Sequence, residues 1–148
     1  MSNPALPAAR TVFAAINSGD LSAIPACVTS DFVDHGSPFP IAPGPDGYTR
    51  ILTWVVRVLQ LRYEIADTIV TPDRIVFRAI ARGPGVADVH GPAAVGREYA
   101  MSTVHIYRTE GDRLAEHWGV RDEVGAMVQI GVIPAPDPGA LDIAAAME

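Results

Sequence analysis

The chain has 148 residues, 49% of them hydrophobic and 19% charged, with a net charge of −6. That suits one domain with its own core, and the acidic balance, with eleven scattered Lys plus Arg, speaks against nucleic acid or an anionic membrane surface as partner. A lone cysteine, Cys27, excludes an internal disulfide and a Cys-based zinc site, and without a basic-then-apolar leader or 18 unbroken apolar residues the expectation is a cytoplasmic protein.

Ser2-Asn3-Pro4 reads as a helix start, and Leu6, Ala9, Val12, Phe13 and Ile16 recur at helical spacing until Gly19. A short second helix is expected from Asp20 to about Val28, limited by Pro25. Asp31 to His35 reads as extended, and Gly36 to Gly47, with four Pro and three Gly, as a loop. A third helix is expected from Gly47 to about Gln60, with Ile51, Leu52, Val55, Val58 and Leu59 on one face. Beyond Leu61 the composition turns to β-branched and aromatic residues. Arg62–Val70, Arg74–Arg82, Glu98–Tyr107 and Arg113–Val120 read as strands, with turns at Thr71-Pro72-Asp73 and Glu110-Gly111-Asp112. In the Gly/Pro-rich stretch between the second and third of these, a short strand fits Val86–His90. A last helix is expected over Asp122–Ile130, stopped by Gly131, and then a tail from Pro134 that is either frayed or a short helix over a pocket mouth or a partner. Helices followed by antiparallel hairpins form an α+β pattern: a curved antiparallel sheet wraps the N-terminal helices into a cone with an apolar pocket inside.

On the last strand Glu116, Trp118, Val120 and Asp122 share one parity and His117 has the other. A carboxylate beside a Trp suits a general acid or base, because burial raises its pKa, while Asp122 also stands where it would cap the following helix. On the preceding strand Tyr99, Met101, Thr103, His105 and Tyr107 share one face, and pattern alone leaves open whether it looks inward. His105 is a second acid/base candidate. Of the adjacent pair Asp34-His35, which point opposite ways in a strand, His35 is the candidate pocket residue. Trp54, Trp118, Tyr48, Tyr63 and Phe32 are candidate substrate contacts, and His90 is expected on the surface. No HExxH, no histidine pair at ligand spacing, no dinucleotide or phosphate loop, and no GxSxG stands in the chain. The expectation is therefore chemistry by side-chain proton transfer, with neither metal nor cofactor.

The segments FAAINSGDLSAI (from Phe13), DFVDHG (31–36), LRYEIADTIVTPDRIVFRAIARG (61–83), VGREY (95–99), VHIYRTEGDRLAEHW (104–118) and DEVGAMVQIGVIP (122–134) resemble, in this order, a SnoaL-like polyketide cyclase of the nuclear transport factor 2-like superfamily. The resemblance implies a single domain over residues 1–134 with a tail at 135–148, and assembly as a homodimer or homotetramer. It also implies ring closure of a polyketide by intramolecular aldol condensation without cofactor, as in antibiotic biosynthesis. The family's acid/base aspartate falls on Asp122, its first-strand histidine on His35 and its tryptophan on Trp118. The chain departs from the family at Gly83-Pro84-Gly85, where a histidine is usual. The leading expectation is proton abstraction next to a carbonyl by Asp122, with His35, His105 or Tyr48 as enolate donor. The alternatives are an isomerase, dehydratase or epoxide hydrolase on the same fold, and a non-catalytic binder of a hydrophobic small molecule.

Overall fold

The computed structural model describes residues 2–137, 139 and 143–148. Helix α1 (Leu6–Ser18) buries Ala9, Val12, Phe13, Ala15 and Ile16, the stripe read from the sequence. Gly19 closes it at φ 80°, and its N–H donates to the Ala15 and Ile16 carbonyls. Helix α2 is a single turn, Ile24–Cys27, shorter than expected because Val28 is already extended and begins β1 (Val28–Asp34). After the Pro-rich loop comes α3 (Pro45–Trp54), which runs on as a π-helical turn, Val55–Leu59. Gln60, at φ 55°, ends that turn.

Strands β2 (Arg62–Val70), β3 (Arg74–Pro84), β4 (Glu98–Glu110) and β5 (Arg113–Arg121) form the antiparallel run. The sheet order is β1-β5-β4-β3-β2, and β1 joins the outer edge of β5 in parallel. Residues 86–90, expected as a strand, form instead a helical turn, α4 (Ala87–His90). The His90 N–H donates to the Val86 carbonyl (2.7 Å) and the Val86 N–H to His90 Nδ1 (2.9 Å), so the segment folds on itself and offers no edge for pairing. Helix α5 (Glu123–Gln129) follows β5, and α6 (Ile143–Ala146) is a single turn in the tail. Tail positions 138 and 140–142 lie outside the described residues. Among the described residues no helix is long and apolar enough to cross a membrane.

Burial decides the face that pattern left open. On β3 Ile75, Phe77, Ala79 and Ala81 are buried, and on β4 Tyr99, Met101, Thr103, His105 and Tyr107. Direct cross-strand pairing puts Tyr107 opposite His117, His105 opposite Gly119 and Thr103 opposite Arg121, so the inner face of β5 carries His117, Gly119 and Arg121. Helix α1 covers this face: Phe13 meets Tyr63, Phe77 and His105 edge-on, each at 5.1 Å.

Candidate active site

Between the inner face of the sheet, α1, α3 and α5 lies a cavity of about 190 Å³. Apolar side chains such as Phe13, Ile51, Leu52, Val55, Leu61 and Met101 make most of its wall. The polar exceptions gather on β1, β4 and β5: Asp34, His105, Tyr107, His117 and Arg121.

Three of these, Asp34, His117 and His105, form one hydrogen-bonded run with Thr103. His117 Nδ1 lies 2.6 Å from Asp34 Oδ1, His117 Nε2 lies 3.0 Å from His105 Nδ1, and His105 Nε2 lies 3.1 Å from Thr103 Oγ1. The end of the run fixes its protons. The Thr103 hydroxyl donates to the Ala79 carbonyl (2.8 Å), so it accepts from His105 Nε2–H. Burial keeps His105 neutral, so its Nδ1 carries no proton and accepts from His117 Nε2–H, and the Asp34 carboxylate takes the Nδ1–H of the same ring. The run is therefore carboxylate, imidazolium, neutral imidazole, hydroxyl. Burial pushes the Asp34 carboxyl up, but the hydrogen bond and charge of His117, the Gly36 N–H and the Arg121 charge outweigh it and leave the pKa below its ordinary value. Burial first, then the charges of His117 and Arg121, hold His105 well below the ordinary histidine value. Oδ1 of Asp34 also accepts the Gly36 N–H (2.8 Å), whereas Oδ2 takes no hydrogen bond among the described residues.

Two glycines make room for this run. A Cβ on Gly36 would stand 2.8 Å from His117 Cε1, and one on Gly119 would stand 3.3 Å from both His117 Cε1 and Arg121 Nη2. The imidazole and the guanidinium thus approach each other over a bare patch of β5. Arg121 Nη1–H donates to the Gly36 carbonyl (3.0 Å). Beside His117 the Tyr48 and Tyr107 hydroxyls bond each other at 2.9 Å. One spends its proton on the other, so the pair keeps one O–H proton to give. Burial above all holds both phenols well up, and they stay neutral.

Of the residues singled out from the sequence, the structure brings His105, Tyr48, Tyr63 and Trp54 to the cavity wall. His90, expected on the surface, lies on its rim. Phe32 is buried behind the wall, its ring tilted against that of Tyr48 at 4.5 Å. Three others lie elsewhere. Trp118 pairs with Ile106 on the outer face and stacks on His35 at 5.2 Å. His35 is turned outward to Glu116 (Nε2···Oε2 2.6 Å). Asp122, exposed, is the N-cap of α5, where Oδ1 accepts the Gly125 N–H (2.9 Å). On β5 the inward parity is that of His117, opposite to Trp118 and Asp122, and at the end of β1 Asp34 takes the inward place, which turns His35 outward. Sequence reading passed over Asp34, Gly36, His117, Gly119 and Arg121. The hairpin turn alone does not announce this face: it pairs Glu110 with Arg113, and only the register shift between Arg108 and Thr109 sets His117 opposite Tyr107 and so on the face of His105. Among the described residues no group of three His, Cys, Asp or Glu is arranged to hold a metal ion.

The low pKa of His105 has a consequence for stability. Below about pH 6.5 an unfolded histidine takes up a proton that the folded site refuses. Stability should fall as pH drops from there toward the folded pKa, by up to about 1.4 kcal/mol per pH unit. Urea unfolding between pH 7.5 and 5 should show this slope flattened in His105→Gln. Parallel slopes for the two proteins would refute the proton count.

A family model described as SnoaL-like polyketide cyclase matches residues 7–130. The chain belongs to that family. Solved structures agree with the fold of this SnoaL-like chain. IdmH of Streptomyces antibioticus, proposed to be a polyketide cyclase, is 24% identical with a TM-score of 0.73 over 84% of this chain and 96% of its own. TsrD of Streptomyces laurentii is 25% identical with a TM-score of 0.70 over 86% and 98%. AclR of Streptomyces galilaeus, proposed to be a hydroxylase, is 19% identical with a TM-score of 0.73 over 95% and 89%. No match was found among curated proteins.

Proposed function

We propose that this SnoaL-like chain abstracts a proton next to a ketone of a small apolar substrate and uses the enolate for intramolecular, aldol-type ring closure without a cofactor. The observation that carries this is the Asp34 carboxylate, which lines the cavity, is held through Oδ1 by His117 and Gly36, and has no partner for Oδ2 among the described residues. A carboxylate held on one oxygen has one fixed direction of attack, which is what positioning requires of a base. When Oδ2 takes the carbon-bound proton, the substrate becomes an enolate and the site keeps the positive charge of His117, so the charges compensate. The spare O–H of the Tyr48–Tyr107 pair is the donor for the enolate oxygen. After the enolate carbon has attacked the second carbonyl, Asp34 returns the proton to the new alkoxide, and the cycle closes with no net proton change.

Membership in the polyketide cyclase family and the Streptomyces neighbours support a polyketide-derived substrate. The cavity argues for a small one: about 190 Å³ is below the ~300–1,000 Å³ that holds drug-sized ligands.

Deuterium uptake tests the reading. The protein, incubated in deuterated water with monocyclic and short-chain ketones, should label the carbon next to the carbonyl. Asp122→Asn should label it as fast as wild type, because the cap stands outside the cavity, and should lose only about 0.5–2 kcal/mol of stability. Labelling that depends on Asp122, or none with any ketone that binds, would overturn the assignment.

A further inference from the structure

Counting charges around the cavity leaves one over. Asp34 and His117 cancel, His105 is neutral, and the tyrosines are neutral. Arg121 remains. Its guanidinium lines the cavity, donates to the Gly36 carbonyl and meets the Tyr63 hydroxyl, and no carboxylate of the described residues lies within 4.0 Å of it. Glu123 lies on the same wall but is exposed and makes no ion pair with it. Holding an unpaired cation among apolar walls costs free energy that an incoming anion returns. The two carboxyl oxygens of a small acid also match the planar fork of a guanidinium.

We propose that Arg121 anchors a carboxylate of the substrate, so that the ligand class is a small oxo-carboxylate, one ring or a short chain in size; this rests on the proton-abstraction reading above. The anchor sits beside Asp34 on the same wall. A carboxylate seated on Arg121 therefore pins one end of the ligand and presents the carbons next to it toward Oδ2. The enolate oxygen is left to the tyrosine pair beside His117, and the guanidinium acts on the bound ground state. That distinguishes an anchor from an oxyanion donor, which would act only in the transition state.

The experiment compares 3-oxocyclohexane-1-carboxylate with its methyl ester at pH 7, by calorimetric titration and by deuterium uptake, in wild type, Arg121→Lys and Arg121→Met, each checked for native circular dichroism. Wild type should bind the acid at least about tenfold tighter than the ester, a single well-placed charge-assisted pair being worth that much. Arg121→Lys should keep part of the preference. Arg121→Met should lose it while binding the ester as wild type does. Equal affinity for acid and ester in wild type would overturn the anchor, as would a preference that survives in Arg121→Met. It would fall equally if neither compound bound at millimolar concentration, or if Arg121→Met slowed labelling at saturation with affinity unchanged. Arg121-dependent binding of the acid with no labelling of either compound would sink the proton-abstraction reading and leave the anchor standing. Labelling of both compounds at equal affinity would do the reverse.

Discussion

Asp34→Asn is expected to slow deuterium uptake by about 10²–10⁴-fold, the usual worth of a positioned general base, while the protein stays folded. The amide is nearly the same shape and can still meet His117, so packing is preserved and only the basic oxygen is lost. Stability should suffer less than the burial of the pair suggests. The amide oxygen, standing where Oδ1 stands, still accepts from His117 Nδ1–H and from the Gly36 N–H. The loss is that of two hydrogen bonds weakened by the missing charge, about 1 kcal/mol each. A variant that labels ketones at the wild-type rate would remove Asp34 from the mechanism. One that fails to fold at pH 7 would show that the carboxylate charge, and not only its shape, holds His117 in place.

Gly36→Ala should be damaging for a different reason. The backbone there is one any residue adopts, so strain in φ is not at issue; the space is. The new methyl would meet His117 Cε1 at 2.8 Å, His117 Nδ1 at 3.0 Å and the Gly119 backbone nitrogen at 3.1 Å. A buried ring and a strand amide have nowhere cheap to go, and overpacking of this kind costs about 1–3 kcal/mol. Three contacts of the site hang on the same residue: its N–H holds Asp34, its carbonyl holds Arg121, and its bare α-carbon admits His117. Displacement by about an ångström should reduce turnover by about 10²-fold, far beyond the effect of the stability loss at 25 °C. Urea unfolding and deuterium uptake on the same preparation separate the two. Wild-type behaviour in both would mean that the ring moves freely and that Gly36 has no positioning role.

The scaffold was legible because its signals are local. The stripe on α1, the change of period after Leu61 and the turns at 71–73 and 110–112 each lie within a few residues of what they specify. The inward set on β4, Tyr99 to Tyr107, was visible as a set but not as inward, since both faces of that strand are partly apolar and α1 makes the choice. The site was less legible. Resemblance drew attention to His35, Trp118 and Asp122, whereas the cavity receives the neighbours Asp34, His117 and Arg121. The error is one of parity: a single residue along a strand changes the face. Asp34 was beyond any local rule. Its partner His117 lies 83 positions away, across a parallel pairing that no hairpin announces.

That pairing also sets when the protein becomes competent. Strands β2 to β5 follow one another as neighbours, whereas β1 must travel back over more than half the chain to reach β5, and its register breaks between Val28 and Val33. Closing so long a loop for so few rungs is the slow and weakly held step. A chain whose central strands are assembled already stacks the two imidazoles, but until the edge strand docks it has no carboxylate beside them. Reactivity is therefore the last property acquired on folding and the first surrendered when the edge opens, well before the core itself gives way.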